Sequence, residues 1–299
     1  MKGKGFFLWV VPEVLKGDPV ALATLLKTAG IRRIEVKVCE GKYRYKISPL
    51  VSPGWGDNVK AEWLAALRQN WDGEVWGWGF CYGAEPEAEG EAGATEAERL
   101  DLDGYIFDVE TRFESQPDPV GRGTRMVQRF KAKSQKPTAW CSWSIFTNPY
   151  PSSPSYGSPW HNAALAKAGM ALCDFALPMV YWPNSGAYWA RFWLDKAIEQ
   201  WRKFTDKSII PAGRAYTGDG GTVTPEGVVA FGARTRELGL PGETWWSLYH
   251  CLGQTTSWAA FCNLPPMGVV APPPPPTSIE EWRRQVTIWA RGHGYAGPD

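Results

Sequence analysis

The chain has 299 residues, of which 44% are hydrophobic, and its 32 Lys and Arg residues balance 31 Asp and Glu residues. This apolar content is enough for a sizeable core and excludes overall disorder. The balanced charge argues against a general binder of nucleic acid, and no apolar run reaches the roughly 18 residues that a membrane span needs. We therefore expect neither nucleic acid nor a membrane as a partner.

The predicted elements are eight apolar strands that alternate with helices along the chain. The strands begin about 34 residues apart on average, close to the roughly 30 residues that a strand and its crossover helix occupy. This pattern predicts a (β/α)8 TIM barrel over residues 1–270, with a doubly wound open sheet as the alternative. The predicted strands cover residues 6–11, 33–39, 75–82, 104–109, 138–144, 175–182, 208–216 and 244–249.

Two of the predicted helices begin with a capping residue followed by proline. Asp18 precedes Pro19, and Thr224 precedes Pro225. Proline is favoured at the first helical position because its missing N–H needs no partner there. The first of these helices should end at Gly30, and the others are predicted at residues 59–69, 123–134, 187–204 and 225–238.

The segment 84–115 carries eleven Asp or Glu residues and only two basic residues. Charge runs usually lie in water, so we expect a solvated acidic helix face there. A run of prolines at 272–276 predicts an extended linker at 271–277. Residues 278–299 contain an amphipathic segment that predicts a short C-terminal helix. It is too short for its own core, so it docks on the barrel or binds a protein partner.

The N-terminus begins like a signal peptide, but its apolar stretch stops at Pro12 and no small-residue cleavage site follows. We therefore expect a first strand there and synthesis in the cytoplasm. The six cysteines show neither C-x-x-C spacing nor a zinc-like pairing with histidine. We expect buried, reduced thiols, with no metal and no cofactor.

The fourth predicted strand carries two carboxyl side chains at its carboxyl end, where barrel enzymes place catalytic groups. Ile106, Asp108 and Glu110 share one face because strand side chains alternate. Two carboxylates in an apolar strand are costly, and their crowding should raise one pKa into the range of a general acid. Glycoside hydrolysis requires such a pair, so this strand predicts a glycosidase that acts on a polysaccharide.

A family resemblance lies in the same strand. Residues 103–110, DGYIFDVE, resemble the D-G-x-D-x-D-x-E signature of glycoside hydrolase family 18, the chitinase-like family. Residues 177–182, LPMVYW, resemble that family's M-x-Y-D motif. Either Trp245 or Trp246 resembles the tryptophan that lies under the bound sugar in that family.

The resemblance implies a (β/α)8 barrel with Glu110 as general acid and Asp108 as its partner carboxylate. It also implies Tyr181 as a hydrogen-bond donor near the reacting sugar. In that family the N-acetyl group of the substrate attacks the anomeric carbon, which implies an amino-sugar polymer such as chitin or peptidoglycan.

Two positions depart from the family 18 pattern and keep other hypotheses open. Ile106 stands where the signature has its middle Asp, and Trp182 stands where the second motif has Asp after Tyr. The bare D-x-E also resembles family 25 muramidases, which are common among phage lysins. The alternatives are a carbohydrate-binding barrel without catalysis, and a structural or assembly protein, such as a phage component, that uses the tail.

Other strand ends complete the predicted site. Lys37 is a buried counter-charge for Asp108 or a substrate contact, and the first role is favoured because a buried Lys needs a counter-charge. A purely structural carboxylate pair, held by Lys37, Arg112 or Arg214, is the alternative. The chain has 18 Trp, and we expect about half of them in the core and others on sugar faces. The predicted substrate-binding residues are Trp182, Trp245, Trp246, Lys37, Arg214 and Tyr216.

The three histidines give a weaker signal. We expect His250 near the barrel mouth, because it follows the last predicted strand, and His161 and His293 on the surface or already hydrogen-bonded.

Overall fold

The structure is a computed structural model, and it describes residues 1–218 and 220–267. Parallel strands close into a (β/α)8 barrel, as the sequence predicts, because the first strand pairs with both the second and the last. The strands are β1 (Gly3–Leu8), β2 (Arg33–Glu40), β3 (Tyr43–Arg44), β4 (Glu74–Cys81), β5 (Gly104–Val109), β6 (Thr138–Trp143), β7 (Phe175–Val180), β8 (Ser208–Ile209), β9 (Ala212–Arg214) and β10 (Gly242–Trp246). In this barrel β8 and β9 share one strand position, and β3 is a short antiparallel addition to β2.

Helices follow the barrel strands and cover the outside of the barrel. Both predicted caps are confirmed: the Asp18 side chain accepts the N–H groups of Val20 and Ala21, and Thr224 accepts that of Gly227. Short 3-10 turns lie at Val11–Glu13 and Leu15–Gly17. The α-helices are α1 (Pro19–Thr28), α2 (Ala61–Asn70), α3 (Pro86–Arg99), α4 (Thr111–Glu114), α5 (Pro119–Lys133), α6 (Ala163–Leu172), α7 (Ala187–Trp201), α8 (Pro225–Glu237), α9 (Leu248–Leu252) and α10 (Thr255–Asn263).

Only the strand predicted at 104–109 keeps its predicted bounds, and three of the other seven differ most. The first begins at Gly3 rather than residue 6, and the last ends at Trp246 because residues 248–252 turn into α9. The strand predicted at 208–216 is divided into β8 and β9, which both pair with β7. Pro211 lies at this division and has no N–H to donate to a ladder.

Alternation along the strands separates two cores. Trp76, Trp78 and Ile106 pack inside the barrel, whereas Tyr105 and Phe107 pack between the barrel and its helices. Trp76 and Trp78 of β4, the third barrel strand, therefore fill the interior. At the amino-terminal end of the strands the interior becomes ionic.

The charged groups at that end are the fully buried ion pair Arg33 and Glu35, which also hydrogen-bonds to neighbouring groups. Arg33 Nε donates to Glu35 Oε1 at 2.5 Å, and the same guanidinium donates to the carbonyls of Lys2 and Glu243. Thr244 donates to the second oxygen of Glu35 at 2.8 Å. Every charge in this group has a partner, which a buried ion pair requires because desolvation otherwise exceeds the Coulomb gain.

The acidic segment is only partly solvated, contrary to expectation. It forms α3, where Glu89 and Glu96 are buried. The Glu89 carboxylate accepts the backbone N–H groups of Tyr82 at 2.8 Å and Gly83 at 3.1 Å. Glu96 is paired with two arginines, one of them Arg44 at 2.8 Å. Glu89 therefore fixes the loop after β4, and Glu96 holds α3 against β3, so these two acidic residues have a structural role.

The cysteines agree with their prediction: five are buried, one is half-buried, and all six are free thiols. Within the described residues, no helix is both long enough and apolar enough to cross a membrane. The predicted linker at 271–277, the tail helix at 278–299 and His293 lie outside the described residues.

One buried amide ties the first two barrel strands together at their carboxyl ends. The side chain of Asn58 is fully buried, accepts the N–H of Val11 at 2.9 Å, and donates to the carbonyls of Trp9 at 2.9 Å and Lys37 at 2.8 Å. It therefore fixes the loop that follows β1 against β2 with three hydrogen bonds.

Substitution of Asn58→Ala should lower the free energy of unfolding by about 2 to 4 kcal/mol, because it leaves three buried backbone groups without partners. The matched control is Asn70→Ala in α2, whose side chain is half-buried and donates one bond, to Ala66. We expect the control substitution to lower the free energy of unfolding by less than about 1 kcal/mol. Urea unfolding measures both, and equal losses would contradict this role for Asn58.

Candidate active site

The carboxyl ends of the barrel strands surround a cavity of about 490 Å³. Its walls are mainly aromatic, and its polar groups come from the end of β5, from β6 and the segment after it, and from the segments after β7 and β9. The lining residues are Phe7, Asp108, Glu110, Cys141, Trp143, Ser144, Ile145, Trp160, His161, Met179, Tyr181, Trp193, Tyr216 and Trp246.

The structure brings the two predicted carboxyl groups together in this cavity. Asp108 lies on β5, opposite Phe80 on one neighbouring strand and Cys141 on the other, and it is 6% exposed. Glu110 follows the strand, is half-buried, and begins α4. Oδ1 of Asp108 has no hydrogen-bond partner among the described residues. This oxygen is therefore placed to meet a ligand or a neighbouring acid.

Burial raises the pKa of Asp108 well above its usual value, and the charge of Glu110 raises it further, while Lys37 opposes the shift. The crowding argument predicts that the carboxyl group with the raised pKa is the general acid, a role that the resemblance gives to Glu110, but the raised pKa is that of Asp108. Asp108 therefore remains protonated to a higher pH than an exposed aspartate and can donate a hydrogen bond within the pair.

Lys37 is buried beside the site but does not line the cavity. Its ammonium group forms an ion pair with Glu40, and it lies 4.4 Å from the ring centroid of Tyr45 and 4.9 Å from that of Trp78. Among the described residues, its ion-pair partner is thus Glu40 rather than Asp108. Lys37 acts on Asp108 only through the electrostatic field that lowers the aspartate pKa.

Tyr181 and Tyr216 both lie in the cavity wall, with their rings edge to face at a centroid distance of 5.7 Å. Burial raises the pKa of Tyr181 well above its usual value. Its hydroxyl group therefore stays protonated at neutral pH, which is the state that a hydrogen-bond donor to substrate requires.

The three tryptophans predicted at the site lie on different faces of the barrel wall, because side chains alternate along a strand. Trp246 lines the cavity, where its ring lies 5.3 Å from Phe7. Trp245 and Trp182 are fully buried on the outside of the barrel, and each packs on Phe231, at 4.7 Å and 5.5 Å. These two side chains face the helices, so they do not form part of the cavity wall.

Arg214 is fully buried at the end of β9 and does not line the cavity. Its guanidinium donates to the carbonyls of Gly218 and Gly221 and lies 4.7 Å from the ring centroid of Tyr216. The arginine therefore fixes the loop after β9 and supports Tyr216, the cavity residue in that loop.

Sequence reasoning missed the wall contributed by the segment after β6. His161, expected on the surface or already hydrogen-bonded, lines the cavity with its ring stacked on Trp143 at 4.2 Å and its Nδ1 3.2 Å from Glu114. Trp160 lies next to it in the wall. His250, expected near the mouth, is not a lining residue, and its Nδ1 lies 2.9 Å from the Ser247 hydroxyl.

The lining side chains do not form a metal site: no group of three or more His, Cys, Asp or Glu side chains suited to a metal ion occurs in the described part of the chain.

Comparison with solved structures places this barrel among known folds. The chain is similar to an endo-1,4-β-mannanase from Thermotoga petrophila, with 11% identity, a TM-score of 0.60, and coverage of 83% of this chain and 88% of the other. It is similar to a family 18 chitinase from Pseudoalteromonas aurantia, with 11% identity, a TM-score of 0.58, and coverage of 86% and 97%.

A class V chitinase from Nicotiana tobaccum, solved in complex with NAG4, has 9% identity to this chain, a TM-score of 0.58, and coverage of 91% and 100%. No protein-family model matches the chain, and no curated protein matches it. At these identities the likeness establishes the fold, a (β/α)8 barrel similar to those of family 18 chitinases and a mannanase.

The raised pKa of Asp108 predicts a pH-dependent effect of Asp108→Asn on stability. Because the pKa is higher in the folded state, the aspartate's contribution is fully present below about pH 4 and is lost as the pH rises towards the folded-state pKa. Between these two pKa values, the free energy of unfolding of the wild type should fall by about 1.4 kcal/mol per pH unit relative to that of the variant. Urea unfolding of both proteins across the pH range measures the difference.

Asp206→Asn, at an exposed position after α7, is the matched control. Its free energy of unfolding should differ from that of the wild type by no more than about 0.5 kcal/mol at each pH, because the side chain is exposed to water. A pH-independent difference for Asp108→Asn as well would show that the pKa of Asp108 is not raised.

Proposed function

We propose that this protein is a glycoside hydrolase that acts on a polysaccharide. The observation that carries the proposal is the pair Asp108 and Glu110 at the carboxyl end of β5, which both line an aromatic-walled cavity. Glycosidases need one carboxyl group that protonates the leaving oxygen and a second group that assists at the anomeric carbon. The solved barrels similar to this one include chitinases and a mannanase, which supports the same class of reaction.

In this mechanism Glu110 is the general acid, which is the role that the family 18 resemblance implies for it, and it lines the cavity directly after β5. It donates its proton to the glycosidic oxygen as the bond to the anomeric carbon breaks. Water then supplies a hydroxyl group to that carbon and returns a proton to Glu110. Asp108, which keeps its own proton through burial, stabilises the ionised Glu110 by hydrogen bonding. Tyr181 donates a hydrogen bond to the bound sugar.

We further propose an amino-sugar polymer such as chitin as the substrate. The sequence resemblance to family 18 supports this, as does the fact that similar barrels were solved with GlcNAc oligomers. Trp246 provides an aromatic surface in the cavity on which a sugar ring can stack.

A carbohydrate-binding barrel without catalysis is the second candidate, and Ile106 favours it. This residue is fully buried inside the barrel and has no polar group to offer to Asp108, where the family signature has a carboxyl group. Such a protein would bind sugar through the same aromatic wall and leave it intact. An assembly role through the tail stays a prediction, to be tested by removing residues 271–299.

Substitution of Glu110→Gln should reduce the hydrolysis of chitin or peptidoglycan by roughly 10²-fold or more, because the amide cannot donate an acidic proton. The measurement is the release of reducing sugar from a panel of polysaccharides. Glu62→Gln, an exposed position in α2, is the matched control and should leave the rate unchanged.

The panel also separates the two candidate functions. Loss of turnover in Glu110→Gln with unchanged binding supports the hydrolase. If the wild type binds a polymer without releasing reducing ends, and Glu110→Gln binds it equally well, the non-catalytic barrel is the correct function.

A further inference from the structure

A pair of residues that the proposed reaction does not use forms one wall of the cavity. Trp160 and His161 both line it and come from the segment between β6 and α6. The Trp160 side chain is partly open to solvent, with the residue 43% exposed, although most large apolar residues of the chain are buried. An open indole beside a polar ring is an arrangement that suits a sugar, whose C–H face stacks while its hydroxyl groups hydrogen-bond.

The imidazole of His161 is held in one orientation from two sides. Its face stacks on Trp143 with an interplanar angle of 13°, and its Nδ1 lies 3.2 Å from Oε2 of Glu114. The other oxygen of Glu114 accepts the N–H of Asn162 at 3.0 Å. A hydrogen bond at Nδ1 fixes the tautomer and leaves Nε2 as the ring atom for a ligand, and the described residues give Nε2 no hydrogen bond.

The same carboxylate connects this imidazole to the proposed acid. Glu114 ends the short helix α4, which Glu110 begins, and the Glu114 N–H donates to the Glu110 carbonyl at 3.1 Å. Phe113, fully buried, anchors that helical turn. One helical turn thus fixes the distance between the proposed acid and the residue that orients His161.

The backbone of the segment is fixed as well. The N–H groups of Trp160 and His161 both donate to the Phe146 carbonyl, and the side chain of Gln200 accepts the N–H groups of Phe146 and Thr147 at 2.7 Å and 3.0 Å. This wall is therefore a preorganised surface, which lowers the entropy cost of binding.

Charge around the cavity selects the ligand. The lining includes the carboxyl groups of Asp108 and Glu110, and it holds no lysine or arginine within the described residues. His161 is offset by the adjacent Glu114, so the two together present no net positive charge. A sugar that carries a carboxylate would lose water from its charge there without gaining a cationic partner, whereas a neutral sugar meets hydrogen-bonding and aromatic groups.

We propose that Trp160 and His161 form a subsite for an uncharged sugar unit, with Glu114 as the positioning residue for the imidazole. The inference rests on the proposed glycosidase function and deepens it, because it assigns the class of sugar that lies beside Glu110. Trp160 stacks on the ring, and Nε2 of His161 hydrogen-bonds a hydroxyl or amide group of the sugar.

Calorimetric titration in the Glu110→Gln background tests the subsite, because the sugar then stays intact. The probes are (GlcNAc)4 and mannotetraose, which are neutral, and tetragalacturonate, which is acidic. The tighter-binding neutral tetramer should lose about tenfold in affinity with Trp160→Ala or His161→Ala. Tetragalacturonate should bind at least about tenfold more weakly than that neutral tetramer.

Glu114 is tested by a pair of substitutions, since Gln keeps an oxygen that can accept from Nδ1. Glu114→Ala should weaken binding of the neutral tetramer several-fold, and Glu114→Gln should weaken it less, because its single oxygen can accept from Nδ1 or from the Asn162 N–H but not from both. Tyr156→Ala is the matched control, because Tyr156 is exposed on the same segment and does not line the cavity. Thermal unfolding of each variant verifies that it is folded.

Unchanged affinity in Trp160→Ala and His161→Ala would overturn the subsite, as would tighter binding of tetragalacturonate or no binding of either neutral tetramer. A separate assay of the protein with Glu110 intact keeps the two proposals apart. If it hydrolyses nothing while the affinities still depend on Trp160 and His161, the glycosidase function fails and the subsite stands. If it hydrolyses a polymer and His161→Ala leaves KM and kcat unchanged, only the subsite fails.

Discussion

Closure of the parallel sheet is the constraint on which the rest of this structure depends. Once β1 pairs with both β2 and β10, every barrel strand has one face inside and one face towards the helices. The alternation of side chains then decides which residues can reach the cavity. On β5 it directs Ile106 and Asp108 inward and Phe107 outward, and on β10 it directs Trp246 inward and Trp245 outward.

Charge inside the barrel is tolerated because each buried group is compensated differently. At the amino-terminal end Arg33 and Glu35 neutralise each other, with further hydrogen bonds from and to neighbouring groups. Towards the mouth, Lys37 is paired with Glu40. Asp108 has no such ion pair among the described residues, and burial raises its pKa, so the cost of a buried carboxylate is reduced by protonation.

The sequence predicted those features of the fold and the site that follow from the spacing and alternation of residues in the strands. Strand spacing predicted the barrel, and the D-x-E spacing placed Asp108 and Glu110 at its mouth. It could not decide which side chains at the strand ends face the cavity and which face the helices. Trp182 lies just beyond β7 and Trp245 lies within β10. A shift of one residue moves a side chain from one face of the strand to the other. The sequence also could not locate His161, because the long segment after β6 has no periodic pattern from which its path can be derived.

The wall formed by Trp160 and His161, which the sequence did not predict, is nevertheless connected to the predicted carboxyl groups through α4. Glu110 begins α4 and Glu114 ends it, so a single turn of helix places one carboxylate in the cavity and another behind His161. Four residues of chain therefore link the strand that the sequence could place to the loop that it could not. A rearrangement of that loop would shift His161 relative to Glu114 but leave Glu110 on its strand. In this geometry chemistry depends on the barrel, while the choice of sugar depends on the segment packed against it.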